Sequence, residues 1–122
     1  MMHGWIGVDL DGTLAHYDGW KGASHIGDPV QSMLERVKAW LAEGRDVRIF
    51  TARVSHDNTA SRMLDAQQAM IDILQWCDLH LGRRLPVTCI KDYGMVELWD
   101  DRAVQVRANT GEPVGFSTRG LA

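Results

Sequence analysis

The chain has 122 residues, of which 45% are hydrophobic and 24% charged, and its formal net charge is −3. That is material for one hydrophobic core, too little for a fold of about 250 residues such as an eightfold β/α barrel. The hydrophobic fraction argues against disorder, and so mild an acidity offers no general attraction to nucleic acid or anionic membranes.

Trp5-Ile6-Gly7-Val8 is a short apolar run ending at Asp9, the pattern of a strand buried on both faces. Residues 12–28 hold Gly12, Gly19, Gly22 and Gly27 without helical periodicity, and they read as a loop punctuated by turns. Asp28 as N-cap, Pro29 at the first helical position and Gly44 past the end delimit a helix. Its Val30, Met33, Leu34, Val37 and Leu41 form one apolar stripe. Val47-Arg48-Ile49-Phe50-Thr51 predicts a second strand. A longer helix over about 58–77 follows, with Met63, Leu64, Met70, Ile71 and Leu74 on its inner face.

Residues 85–90 read as extended, and Val96-Glu97-Leu98-Trp99 as a last strand ending in Asp100-Asp101. Only residues 91–95 separate these two segments, and a parallel crossover needs about a dozen. Residues 87–90 are therefore expected to be irregular or antiparallel, and not a parallel neighbour of 96–99. Glycines and a proline after Asn109 predict a loose tail over 109–122, behind one domain of residues 1–108.

Strands alternating with helices predict an α/β fold, a three-layer sandwich with a mainly parallel central sheet between helices. No window approaches the roughly 20 apolar residues of a membrane helix. The start, Met1-Met2-His3-Gly4-Trp5, lacks the basic region of a signal peptide. Cys77 and Cys89 fit no zinc spacing and read as small buried hydrophobes of a reducing compartment. A cytoplasmic protein without a membrane partner is the expectation.

The polar residues fall at the strand ends, in Asp9-Leu10-Asp11-Gly12-Thr13, in Thr51-Ala52-Arg53 and in Asp100-Asp101. In a parallel sheet the carboxyl ends share one edge, and ligands bind there where the strand order reverses. Asp9, Asp11, Asp100, Asp101 and the Thr51 hydroxyl should therefore meet in one crevice. Carboxylates packed that closely repel one another unless a cation sits among them. A hard, oxygen-ligated cation such as Mg²⁺ answers that need.

The succession Asp9-Leu10-Asp11-Gly12-Thr13, Thr51, Lys91 and Asp100-Asp101 resembles the four motifs of the haloacid dehalogenase (HAD) superfamily, in order and across residues 9–101. The resemblance implies a Rossmann-like fold and a Mg²⁺-dependent phosphohydrolase that works through an aspartyl-phosphate. It makes Asp9 the nucleophile, whose attack on phosphorus divides hydrolysis into two displacements. Asp11 would protonate the leaving oxygen and later deprotonate water. An Asp at both positions favours phosphoryl transfer over dehalogenation.

Thr51 would donate its hydroxyl to a phosphoryl oxygen, and Lys91 would neutralise charge on the phosphoryl group and on Asp9. Asp100 would ligate the metal directly and Asp101 would act through a bound water or Lys91, an assignment open to reversal. Asp9 and the Asp11 carbonyl would complete the metal site. Gly12 permits a tight turn, and Thr13 can bond the loop beside the substrate.

Arg53 can grip a substrate phosphate bidentately, and Arg102 can do the same or pair with a helix carboxylate. Residues 12–28 take the place of the superfamily's flap. There Trp20, with His16, Tyr17 and His25 nearby, can stack on a substrate ring or pin the loop to the body. Neither 14–50 nor 52–90 has room for a cap domain beyond its helix and strand, so a capless member is expected. Such an open site suits a phosphorylated nucleic-acid end or other bulky substrate, or needs a second copy of the chain to close it. A nucleotide or sugar phosphate also fits. The alternative readings are a phosphotransferase using the same intermediate and a non-catalytic, phosphoryl-responsive binding domain.

Overall fold

In the computed structural model, which describes residues 3–115, the chain runs β1 (Trp5–Val8), α1 (Gln31–Ala42), β2 (Asp46–Phe50), a 3-10 turn (Ala52–Val54), α2 (Ala60–Leu81), β3 (Val87–Thr88) and β4 (Met95–Trp99). The strands form one sheet in the order β3-β2-β1-β4, and every pairing is parallel. All four residues of β1 are buried, as its unbroken apolar run requires.

Parallel registration puts Ile6 beside Val47 and Val8 beside Ile49 and Trp99, all on one face. Met33, Leu34 and Val37 of α1 close over that face together with Ile73, Trp76 and Cys77 of α2, making a single core. Burying one such aliphatic side chain stabilises the fold by about 1.5–3 kcal/mol. Trp99 also meets Trp40 of α1 edge-on, with ring centres 5.2 Å apart.

Both helices therefore share one face. Right-handed crossovers produce this arrangement when β1, β2 and β3 are laid down in one direction across the sheet. The opposite face presents Trp5, Gly7, Arg48, Phe50 and Leu98. It is crossed by residues 89–94 on their way from β3 to β4. The Trp5 indole N–H donates to Asp92 Oδ1 at 2.9 Å, and the Trp5 backbone N–H to the Gly94 carbonyl at 2.7 Å. The α/β class and the parallel sheet stand, but the three-layer expectation is corrected: among the described residues helices cover one face only. No helix there is long and apolar enough to cross a membrane.

Four further expectations change. Asp28 and Pro29 do not open α1: Pro29 bridges Ala15, His16 N–H donates to the Asp28 carbonyl, and the N-cap is Val30. Closing the 12–28 loop takes precedence over capping. The buried stripe of α2 is Ala66, Ala69, Ile73, Trp76 and Cys77, while Met63, Leu64 and Ile71 are exposed. Small alanines let the helix approach the core closely, and the bulkier apolar residues turn outward. Residues 87–88 are a parallel strand on β2, although they do not neighbour β4. Finally, residues 105–114 form a hydrogen-bonded antiparallel turn, with Arg107 N–H donating to the Glu112 carbonyl and Val114 N–H to the Gln105 carbonyl. The expected boundary at 108 falls inside that turn, and the rest of the expected tail, 116–122, lies outside the described residues.

Candidate active site

Strand order reverses between β1 and β4, since β2 and β3 lie to one side of β1 and β4 to the other. Asp9 and Asp100-Asp101 leave the carboxyl ends of these two adjacent strands. Asp9 N–H donates to the Trp99 carbonyl at 2.9 Å, carrying the ladder one step past β1. Leu10 and Leu14 are buried and draw the following loop into the core. The N–H groups of Leu14 and Ala15 close it on the Leu10 carbonyl, and Gly12 N–H donates to Ala15. Asp9 and Asp11, on either side of Leu10, are left facing the cavity.

Gly12 has φ +89°, and a Cβ there would lie 2.5 Å from Asp101 Oδ2. Both the backbone conformation and the space demand glycine. Thr13 Oγ1 accepts from Asp101 N–H at 3.1 Å and lies 3.4 Å from carboxylate oxygens of Asp9 and Asp101. Arg102 N–H donates to Asp100 Oδ1 at 2.8 Å. Thr13 thus braces two strand ends against each other from outside the cavity wall.

Asp9, Asp100 and Asp101 each offer an oxygen within 4.8 Å of the others. Burial, then a hydrogen bond shared with Asp101, then repulsion by Asp100 and Asp101 push the Asp9 carboxyl up to about 7. Three hard oxygen donors that repel one another fit a divalent cation, which would relieve that repulsion. The Asp11 carbonyl accepts none of the loop's backbone hydrogen bonds and remains available as a further donor.

Thr51, buried and extended, follows β2 and accepts Arg53 N–H at 3.2 Å, which starts the 3-10 turn. That turn aims Arg53 at Asp11: Nε donates to Oδ2 at 2.7 Å and Nη2 to Oδ1 at 2.9 Å. Arg53 also donates to the Ala23 and His25 carbonyls of the loop, and its guanidinium lies 5.0 Å from the centre of the Trp20 ring.

The resulting cavity, about 650 Å³, is lined by Asp9, Asp11, Tyr17, Trp20, Thr51, Arg53, Asp100, Asp101 and Arg102 among others. Residues far apart in sequence are brought together as the strand ends foretold. Lys91 is not brought in. It is exposed, lines no part of this cavity, and forms no ion pair among the described residues. The cause is the shortness of β3: the chain leaves the sheet after Thr88 and Lys91 falls on the crossing, not at a strand end. The structure also departs from the reading of Arg53 as a phosphate grip, because Asp11 takes its paired N–H groups. Arg62 and Asp65 line the cavity without having been anticipated. A helix that follows a strand begins at the sheet's carboxyl edge, so the first turns of α2 overhang the site.

No protein-family model matches the chain, and no curated protein does. Among solved structures, a conserved protein from Bacteroides thetaiotaomicron matches at a TM-score of 0.53 and 18% identity, over 84% of this chain and 79% of that chain. At that identity the likeness is one of fold.

Proposed function

We propose that the chain is a Mg²⁺-dependent phosphomonoester hydrolase of the HAD type, acting through an aspartyl-phosphate on Asp9. The observation that carries this reading is the meeting of the Asp9, Asp100 and Asp101 carboxylates beside Asp11 at the switch in strand order.

Mg²⁺ would be held by Asp9, Asp100, Asp101 and the Asp11 carbonyl, and when bound it offsets negative charge on these groups and on the phosphoryl oxygens. An Asp9 oxygen attacks phosphorus while the bond to the departing alcohol breaks and Asp11 protonates the leaving oxygen. Asp11 then takes a proton from water, whose oxygen attacks the same phosphorus, and Asp9 and inorganic phosphate are freed. The Thr51 oxygen already accepts from Arg53 N–H, so its hydroxyl proton is free to bond a phosphoryl oxygen. Lys91 is left without a role, and Arg102 and Arg62 are the cavity-lining cations that remain for that task once Arg53 is taken by Asp11. A cavity of about 650 Å³ suits a nucleotide or sugar phosphate without a cap domain.

The test is phosphate release from p-nitrophenyl phosphate with Mg²⁺ and with a chelator, in the native chain and in Asp9→Asn. Release that needs Mg²⁺ and disappears in the variant supports the reading. Release that survives Asp9→Asn, or ignores the chelator, removes it.

A further inference from the structure

The Arg53 guanidinium commits four of its five N–H bonds, and they go to two separate parts of the chain. Two hold both oxygens of Asp11 at 2.7 and 2.9 Å, and two hold the Ala23 and His25 carbonyls at 2.9 and 2.8 Å. The Arg53 side chain is only 7% exposed, although it lies under a loop whose Trp20 is 61% exposed. Among the described hydrogen bonds, the only ones tying residues 17–25 to the rest of the molecule come from Arg53.

We propose that Arg53 is a positioning residue that couples this flap to Asp11. One guanidinium fixes the carboxylate that handles protons and ties down the loop over the cavity, so neither is fully placed without the other. The task given to Asp11 rests on the phosphohydrolase reading, whereas the linkage belongs to the folded chain. A bidentate fork sets both the position and the tilt of a carboxylate, which the single point of a lysine ammonium does not. With four N–H bonds engaged, no parallel pair remains for a substrate phosphate. The flap contributes two backbone carbonyls and the Trp20 ring, so the hydrogen-bonded part of the clamp does not depend on which side chains residues 23 and 25 carry. A coupling of this kind is reciprocal: loss of the Asp11 carboxylate must loosen a flap with which, among the described residues, it shares no direct hydrogen bond.

Trypsin cleavage after Lys21 reads the flap directly, with no need for turnover. Arg53→Gln should be cut about tenfold faster, in line with the loss of charge-assisted hydrogen bonds. Asp11→Ala should also be cut several-fold faster, and the double variant no faster than Arg53→Gln. Asp11→Ala cut at the native rate overturns the proposal. Should Arg53→Gln fail to fold, Arg53→Lys and Asp11→Ala carry the same comparison. With phosphate esters, the Arg53 variants should lose more kcat on alkyl than on aryl leaving groups, with KM little changed. An equal rise in KM for every ester, with kcat kept, would make Arg53 a substrate ligand and overturn the proposal. Absence of all phosphatase activity in the native chain would remove the functional reading, while the cleavage rates would still decide the linkage.

Discussion

Between Asp9 and Asp11, separated only by Leu10, the cavity divides into an acidic half and an arginine half. Asp9 faces Asp100 and Asp101, and among the described residues no cationic side chain hydrogen-bonds to it. Asp11 is matched by Arg53 through two short hydrogen bonds. Leu10 explains how neighbours come to differ so much: buried at 0% exposure, it anchors the loop and leaves the acids on either side to separate elements. Asp9 meets the end of β4, and Asp11 meets the turn after β2. Two carboxylates held in opposite surroundings are fitted to opposite tasks. On the proposed reading, the uncompensated one would take the phosphoryl group beside a cation, and the compensated one would exchange protons without joining the ligand set through its side chain.

The sharpest way to break this division is to remove each carboxylate in turn. Asp9→Asn should lower turnover of any phosphomonoester by about 10³-fold or more, since no phosphoenzyme can form. Asp11→Asn should differ in kind. With p-nitrophenyl phosphate, whose leaving group needs no proton, it should still give a burst of nitrophenol followed by slow release of phosphate. Stopped-flow measurement separates the two. Equal bursts, or none in either variant, would mean that the two acids do not divide the work.

A smaller effect distinguishes the two halves as cation sites. Asp101→Asn should weaken binding of Mg²⁺ or Mn²⁺ by about 10–100-fold, measured by calorimetry. Asp11→Asn should change it far less, because the Asp11 carboxylate is turned to Arg53. In cation-free protein Asp101→Asn should raise the melting temperature, as it removes one of the charges that repel Asp9.

How much of this was legible beforehand differs between the halves. The acidic half follows from strand ends alone: an apolar run stopping at Asp9 and another stopping at Asp100 must bring both to one edge of a parallel sheet. The Arg53–Asp11 pair depends on how a 3-10 turn and a loop happen to fold, and no periodicity reports that. Lys91 was misplaced because the path from β3 to β4 is a long-range property, set by Trp5 holding Asp92 and Gly94. The inner face of α2 was misread because apolar residues surround that helix, and the choice between Ala66-Ala69-Ile73 and Met63-Leu64-Ile71 is made by close packing. Helix side was equally hidden, since strand order has to be known before a crossover rule can place anything.

The smallest expected effect is also the one that isolates Asp9 from its neighbours. Its carboxyl is raised to about 7, chiefly by burial and then by Asp101 and Asp100, whereas in the unfolded chain it titrates near an ordinary carboxyl value of about 3.9. The folded chain therefore holds a proton there that the unfolded chain has already released. This contribution to stability is complete below about pH 4 and is lost as pH rises through about 7. Allowing for solvent screening at a half-buried group, the loss should be on the order of 1–2 kcal/mol. Urea melts of cation-free protein at several pH values measure it. Asp9→Asn should flatten the dependence, and saturating Mg²⁺ should also flatten it, because a cation favours the ionised carboxylate that burial and repulsion oppose. A slope unchanged by Asp9→Asn but removed by Asp11→Asn would place the strained carboxyl in the other half of the cavity and reverse the division of roles.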